Sequence, residues 1–312
     1  MMFKNSIKLL MANFSTVWKL LVYKLIALGI TVGLFFIGYS SISGMSSFVT
    51  LKTSTLDFVM TFNIGTSLGE VLRNLLALID VFFAFIADIA VTNTGMLVYF
   101  AIVFLIILPF LWKLSDIPTG ETLYGYMASL TKYSFTGSMI RKIGISSRYS
   151  LLSLAIFLPI NFLIAYGLYG ILTLVNMGGI MLAIVPLLIF VYLSLIIGLK
   201  TALFCGWMPA IVVFNCGPVK GLKLGFKAVF RRFLKVLSTA IMLTAFVLAI
   251  NLLFGSFSFI ITIPIGAMMV LVFQMVMFFG SQGMRYYVDL DTILSPKKLE
   301  QTDKFNKVKD II

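Results

Sequence analysis

Histidine is absent from this 312-residue chain, and only two cysteines occur, Cys205 and Cys216. The first absence removes the commonest general base and the commonest metal ligand. Two cysteines, both near strongly basic stretches, suggest neither a disulfide framework nor a metal site. Charge is scarce too. Only 11% of the residues are Asp, Glu, Lys or Arg, against about 25% in soluble domains. No H-E-x-x-H, P-loop or G-x-S-x-G is present. The sequence therefore suggests no catalytic, cofactor-binding or metal-binding residues, and the chain is read as a non-enzyme that needs no cofactor.

Apolar residues are what the chain has, at 61%. A soluble core has no room for so much apolar surface, but a bilayer does. A spanning helix needs about 20 mostly apolar residues. Six runs qualify, at roughly 20–40, 96–112, 150–175, 180–200, 236–256 and 259–281. The fold class expected is all-α: a polytopic membrane helical bundle of about six transmembrane helices. Residues 1–285 form a single membrane domain and 286–312 a cytoplasmic tail. The connections Asn176–Gly179 and Gly255–Ser258 are so short that each must close a tight antiparallel hairpin. Lys4, Lys8 and Lys19 precede the first run with no A-x-A-like site after it, so that run reads as an uncleaved span.

The net charge is +13, and 22 of the 24 Lys and Arg fall in or beside alternate connections, with only Lys52 and Arg73 elsewhere. By the positive-inside rule this places both termini in the cytoplasm of a multi-pass protein of the cell (plasma or inner) membrane. The partners expected are the lipid bilayer, with anionic headgroups on the cytoplasmic side, and a protein partner or a homo-oligomer. Nucleic acid is not expected, because no soluble basic face exists to bind it.

Residues 41–95 make a long outer insertion. Within it, 67–91 opens on a capping-box pattern, Ser67-Leu-Gly-Glu70. Arg73, Asp80 and Asp88 interrupt its apolar run. As a seventh span it would put the basic 132–148 segment outside, so it reads as an outer interfacial helix, with a re-entrant or true span as the alternative. Asp80 and Asp88 are about two helical turns apart and share a face, either solvated or cation-binding. Basic amphipathic stretches precede the first, third and fifth spans, a weak threefold repeat of one such helix plus two spans.

Ionisable and amide groups inside hydrocarbon are the candidate functional residues. Lys24 lies near the start of the first span, where it can snorkel to headgroups. Lys200 lies between two apolar stretches, as an interfacial anchor or as a substrate or lipid-phosphate contact. Asn161, Asn251 and Gln274 are candidate cavity or lipid contacts, with interhelical hydrogen bonding as their simpler role. Pro159, Pro186 and Pro264 can kink their spans. Gly29 and Gly33 form a G-x-x-x-G close-packing pattern.

Cys216-Gly-Pro218 is expected to end a fourth helix longer than the bilayer is thick. A basic amphipathic helix follows as a candidate membrane-surface element. It carries Lys220, Lys223, Lys227, Arg231, Arg232 and Lys235 opposite a stripe of Leu222, Phe226, Val229, Phe233 and Leu237. The pattern Gly221, Leu222, Gly225, Phe226, Phe230, Phe233 and Leu237 resembles bacterial six-span membrane families, among them the membrane domain associated with glycerophosphoryl diester phosphodiesterases. The resemblance covers roughly 180–285. It implies a membrane architecture and not phosphodiesterase activity, and the chain departs from it by the outer insertion at 41–95. These features suggest a transport-related or accessory bundle that handles a small molecule or lipid. The alternative is a non-catalytic membrane scaffold or assembly partner of a larger complex.

Overall fold

The structure, a computed structural model, describes residues 14–61, 68–127, 134–230 and 233–255. Among them there are helices and no strands. The helices are α1 (Phe14–Ile42), α2 (Ser46–Thr61), α3 (Leu68–Thr92), α4 (Thr94–Ala101), α5 (Leu108–Leu114), α6 (Asp116–Met127), α7 (Phe135–Thr173), α8 (Met181–Phe204), α9 (Trp207–Phe214), α10 (Pro218–Phe230) and α11 (Phe233–Gly255). Five helical stretches are long and apolar enough to cross a membrane: Trp18–Ile42, Gly69–Thr92, Thr94–Thr122, Phe135–Met177 and Met181–Phe214. The protein is an all-α polytopic bundle. The sixth expected span, 259–281, lies outside the described residues.

α1 runs antiparallel to the α4–α5 rod. The Tyr99 hydroxyl donates to the Leu34 carbonyl at 2.8 Å or less, as the Tyr23 hydroxyl does to that of Leu111. The rod begins at Asn93, whose side chain accepts from the Met96 N–H, satisfying one of the first-turn donors. Between α4 and α5 the chain winds into a π-helix, Ile102–Ile107, where the Leu108 N–H reaches back five residues to the Val103 carbonyl. Pro109 stands at the start of α5. It has no N–H for the carbonyl four residues before it, so the ladder there must change register.

α7 starts at Ser134, whose hydroxyl accepts from the Gly137 N–H. It runs on for 39 residues through Pro159. One 3-10 turn, Leu174–Met177, then leads into Gly178 and Gly179 at φ +66° and +55°. Two left-handed residues in a row are cheap only for glycine, and they close the expected tight hairpin to α8. The Tyr192 hydroxyl of α8 donates to the Ile164 carbonyl of α7 at 3.1 Å. α11 packs on the opposite flank of α8, where a Cβ on Gly198 would lie 2.9 Å from the Ile241 Cα.

The fourth helix is not one long rod. It breaks first at Cys205–Gly206, between α8 and α9, and again at Asn215, which is left-handed at φ +44°. The expected stop at Cys216-Gly-Pro218 is therefore the second of two. The first break lets Gly206 meet Gly225 of α10 so closely that a Cβ on Gly206 would lie 2.8 Å from the Gly225 carbonyl oxygen.

The position of α3 follows from its contacts. Gly69, Leu72 and Leu76 pack on Leu182, Leu172, Val175 and Val185, around the α7–α8 turn. Phe85 and Ile89 pack with Ile42, the last residue of α1. Gly69 and Ile89 are about 30 Å apart along a helix axis. Had α1 and α7 pointed in opposite directions, their ends would lie about 50 Å apart, so both point the same way. One end of the bundle thus carries the end of α1, the start of α4 and the α7–α8 turn. α3 bridges that end although its length and composition would also let it span. We name this the hairpin end and its opposite the basic end.

Candidate functional site

Three lysines sit at a common depth. Lys24 is 18 residues from the end of α1 at Ile42. Lys113 and Lys200 are each 19 residues from the starts of their helical rods, Thr94 and Met181. At about 1.5 Å per residue each lies about 27–29 Å below the hairpin end, close to the hydrocarbon thickness of a bilayer.

Lys24 is 5% exposed, so it does not snorkel. It donates to the Trp112 carbonyl, and its ammonium lies 4.4 Å from the centre of the Trp112 ring. The physical reason is the end of α5, whose last carbonyls have no partner within the helix and carry the negative end of its dipole. The neighbouring Leu111 carbonyl takes the Tyr23 hydroxyl. Lys113 pairs with Asp116 at 3.0 Å.

Lys200 donates to the Oδ1 of Asn161, across α8 and α7. Lys200 and Lys113 share one aromatic ring, with their ammonium groups 5.0 and 5.5 Å from the centre of Phe157. Asn161 is exposed, on a flank of α7 that continues toward the hairpin end through the exposed Ala165 and the half-buried Leu168.

Below these lysines lies a buried core of Ile117, Tyr149, Trp207, Met208 and Ile211. The Trp207 indole donates to the Pro218 carbonyl at 2.8 Å, tying α9 to the start of α10. α10 turns Pro218, Gly221, Gly225, Ala228 and Val229 inward, while Lys220, Lys223 and Lys227 are exposed. The inward face joins these glycines to the expected apolar stripe: Val229 is buried, Leu222 packs on the Trp207 core and the Phe226 ring meets that of Phe204. The glycines let the two backbones approach where a larger side chain would hold them apart. The G-x-x-x-G at Gly29 and Gly33 makes no such approach among the described residues: a Cβ at either position meets none of them within 4 Å. Gly221 and Gly225 were the pattern of the same form that signalled packing.

A second polar cluster lies at the basic end. Glu121 accepts from Arg141 and stands 3.8 Å from Lys142, which donates to the Asn215 side chain at 2.7 Å. The Cys216 thiol is pushed above its ordinary value by burial, against the opposing pull of Lys220.

Of the residues singled out by sequence, Lys200 and Asn161 are brought together. Asn251 lies on α11. Its side chain, that of Lys235, and all of Gln274, Arg231 and Arg232 lie outside the described residues. Asp80 and Asp88 each hold a hydroxyl, from Tyr169 at 3.3 Å and from Ser47. No group of three or more Cys, Asp or Glu that could hold a metal exists among the described residues. Sequence reasoning missed Lys113, Tyr149, Phe157 and Trp112. The available signal was Lys113 following Trp112 at the end of an apolar run that contains Pro109. Comparison with family models, with characterised proteins and with solved structures returns no match for this chain.

Proposed function

We propose that this protein is a transport-related membrane bundle that handles a lipid or small molecule at the basic end of α7 and α8. The observation that supports this is the Lys200–Asn161 hydrogen bond, made on an exposed flank of α7 below Ala165. A lysine at the edge of hydrocarbon is costly unless paired. Here its partners are an amide oxygen and a ring face, both neutral. Pro159 lies two residues from Asn161 and weakens the α7 ladder next to the site. The basic end faces the cytoplasm in this reading, as the distribution of Lys and Arg favours.

The test is reconstitution of the full chain in vesicles, with lipid exchange between leaflets and efflux of trapped anions as readouts. Activity that falls about tenfold or more in Lys200→Ala and Asn161→Ala supports the reading. No activity above protein-free vesicles, or activity indifferent to both substitutions, removes its basis.

A second reading, a membrane scaffold, draws on α10. Its glycine face is consumed by α9, which leaves Lys220, Lys223 and Lys227 directed outward. Crosslinking in native membranes from Lys223→Cys tests it. A reproducible adduct with a protein other than this chain favours it, and recovery of the monomer alone counts against it.

A further inference from the structure

We infer that the phosphate of an anionic phospholipid headgroup binds to Lys113 and Lys200 where their ammonium groups meet at the Phe157 ring. Three lysines and one carboxylate, Asp116, make up the charged groups of the site. Lys113 is the one that Asp116 pairs. Lys24 and Lys200 have a carbonyl and an amide oxygen respectively, each with an aromatic face. Two positive charges therefore remain without an acidic partner among the described residues. Two ammonium groups gathered on one ring repel each other, and an anion held between them relieves that repulsion.

Depth selects the kind of anion. The lysines lie about 27–29 Å from the hairpin end, where the opposite leaflet's headgroups begin. Access is open as well. The Lys113 side chain is 36% exposed, and Asn161 is exposed on the flank of α7 that carries the exposed Ala165 one turn above it. A phosphodiester with acyl chains lying along that flank meets both demands, charge at the lysines and apolar surface above them. A free phosphate meets only the first. Lys24, being buried, contributes charge to the site and no direct contact.

The inference rests on the site used for the proposed function, but it concerns binding and not movement. A bundle that binds the lipid and transports nothing would refute the first and leave the second intact. Native mass spectrometry of the full chain in detergent, titrated with phosphatidylglycerol or phosphatidylcholine, reads it directly. The expected result is retention of phosphatidylglycerol in preference to phosphatidylcholine. Affinity for it should fall about tenfold in Lys200→Gln, the loss of one charge-assisted hydrogen bond. It should fall less in Asn161→Ala, and not at all in Lys52→Gln, whose lysine is exposed on α2. Equal retention of the two lipids overturns the inference, as does a Lys200→Gln protein that binds like wild type. A third arm adds inorganic phosphate. Displacement of the lipid at equal concentration would assign the site to soluble phosphate and overturn the lipid reading. If Lys200→Gln does not fold, Asn161→Ala still decides, because its side chain is exposed.

Discussion

Gly225 shows how much one missing methyl group decides. A Cβ there would lie 2.6 Å from the backbone carbon of Gly206, and neither backbone can yield without moving a helix. Gly225→Ala should lower stability by about 1–3 kcal/mol, the usual cost of overpacking. Gly29→Ala, with nothing nearby, should be neutral or stabilising, by up to about 1 kcal/mol. Thermal unfolding in detergent, with the two variants side by side, checks both. Trp207 makes a similar point about polarity. Trp207→Phe keeps most of the ring but removes the buried indole hydrogen bond to the Pro218 carbonyl, at a cost of about 0.5–1.5 kcal/mol. Cys216 gives a pH dependence. Burial raises its thiol, so the native state holds its proton more tightly than the unfolded chain does. Its contribution is complete below the unfolded value and is lost as pH rises through the folded one. Alkylation of Cys216 in a Cys205→Ser background should be slower than that of an unperturbed thiol at pH 8 and accelerate as pH rises. A rate that matches a free thiol would remove the effect of burial.

Single helices raise a different question, that of placement. α3 is apolar and long enough to cross a bilayer, yet both of its ends touch the hairpin end of the bundle. Cysteines introduced at Glu70 and at Val91, which is 87% exposed, should both be labelled by an impermeant maleimide from one side of sealed vesicles, in a background lacking Cys205 and Cys216. Labelling from opposite sides would make α3 a span. Amphipathicity and charge, the features legible in sequence, pointed to a helix on a membrane surface. Its contact partners at Leu182 and Ile42 were not legible, because they are set by helices far away in the chain. α10 differed in another way. Its extent, its exposed lysines and its inward apolar stripe follow from periodicity, but the backbone contact at Gly225 depends on α9 arriving with Gly206 at the right height.

On the scale of the whole molecule, two segments share one order of parts. A descending rod, a short buried turn of helix and an ascending helix with basic residues at its start occur in α4–α7 and again in α8–α11. Each descending rod ends with its lysine, Lys113 or Lys200, on the same Phe157 ring. The Lys and Arg distribution predicts a further topological result: Lys223→Cys and Lys52→Cys, in the cysteine-free background, should label from opposite sides of the membrane. Labelling from the same side would contradict the bundle orientation derived above.

Composition and run length determined that this chain belongs in a bilayer as helices, because apolar runs of about 20 residues suit spanning helices whose backbone bonds are all internal, whereas a barrel strand needs only about ten. The charge distribution by itself also marked the basic end. The meeting of Lys24, Lys113 and Lys200 was settled only by the tertiary structure. Periodicity is local, whereas these lysines come from helices 87 or more residues apart in sequence, whose relative heights and rotations depend on packing. Sequence could nominate Lys200 and Asn161 one by one, but only the packed α7 and α8 could pair them.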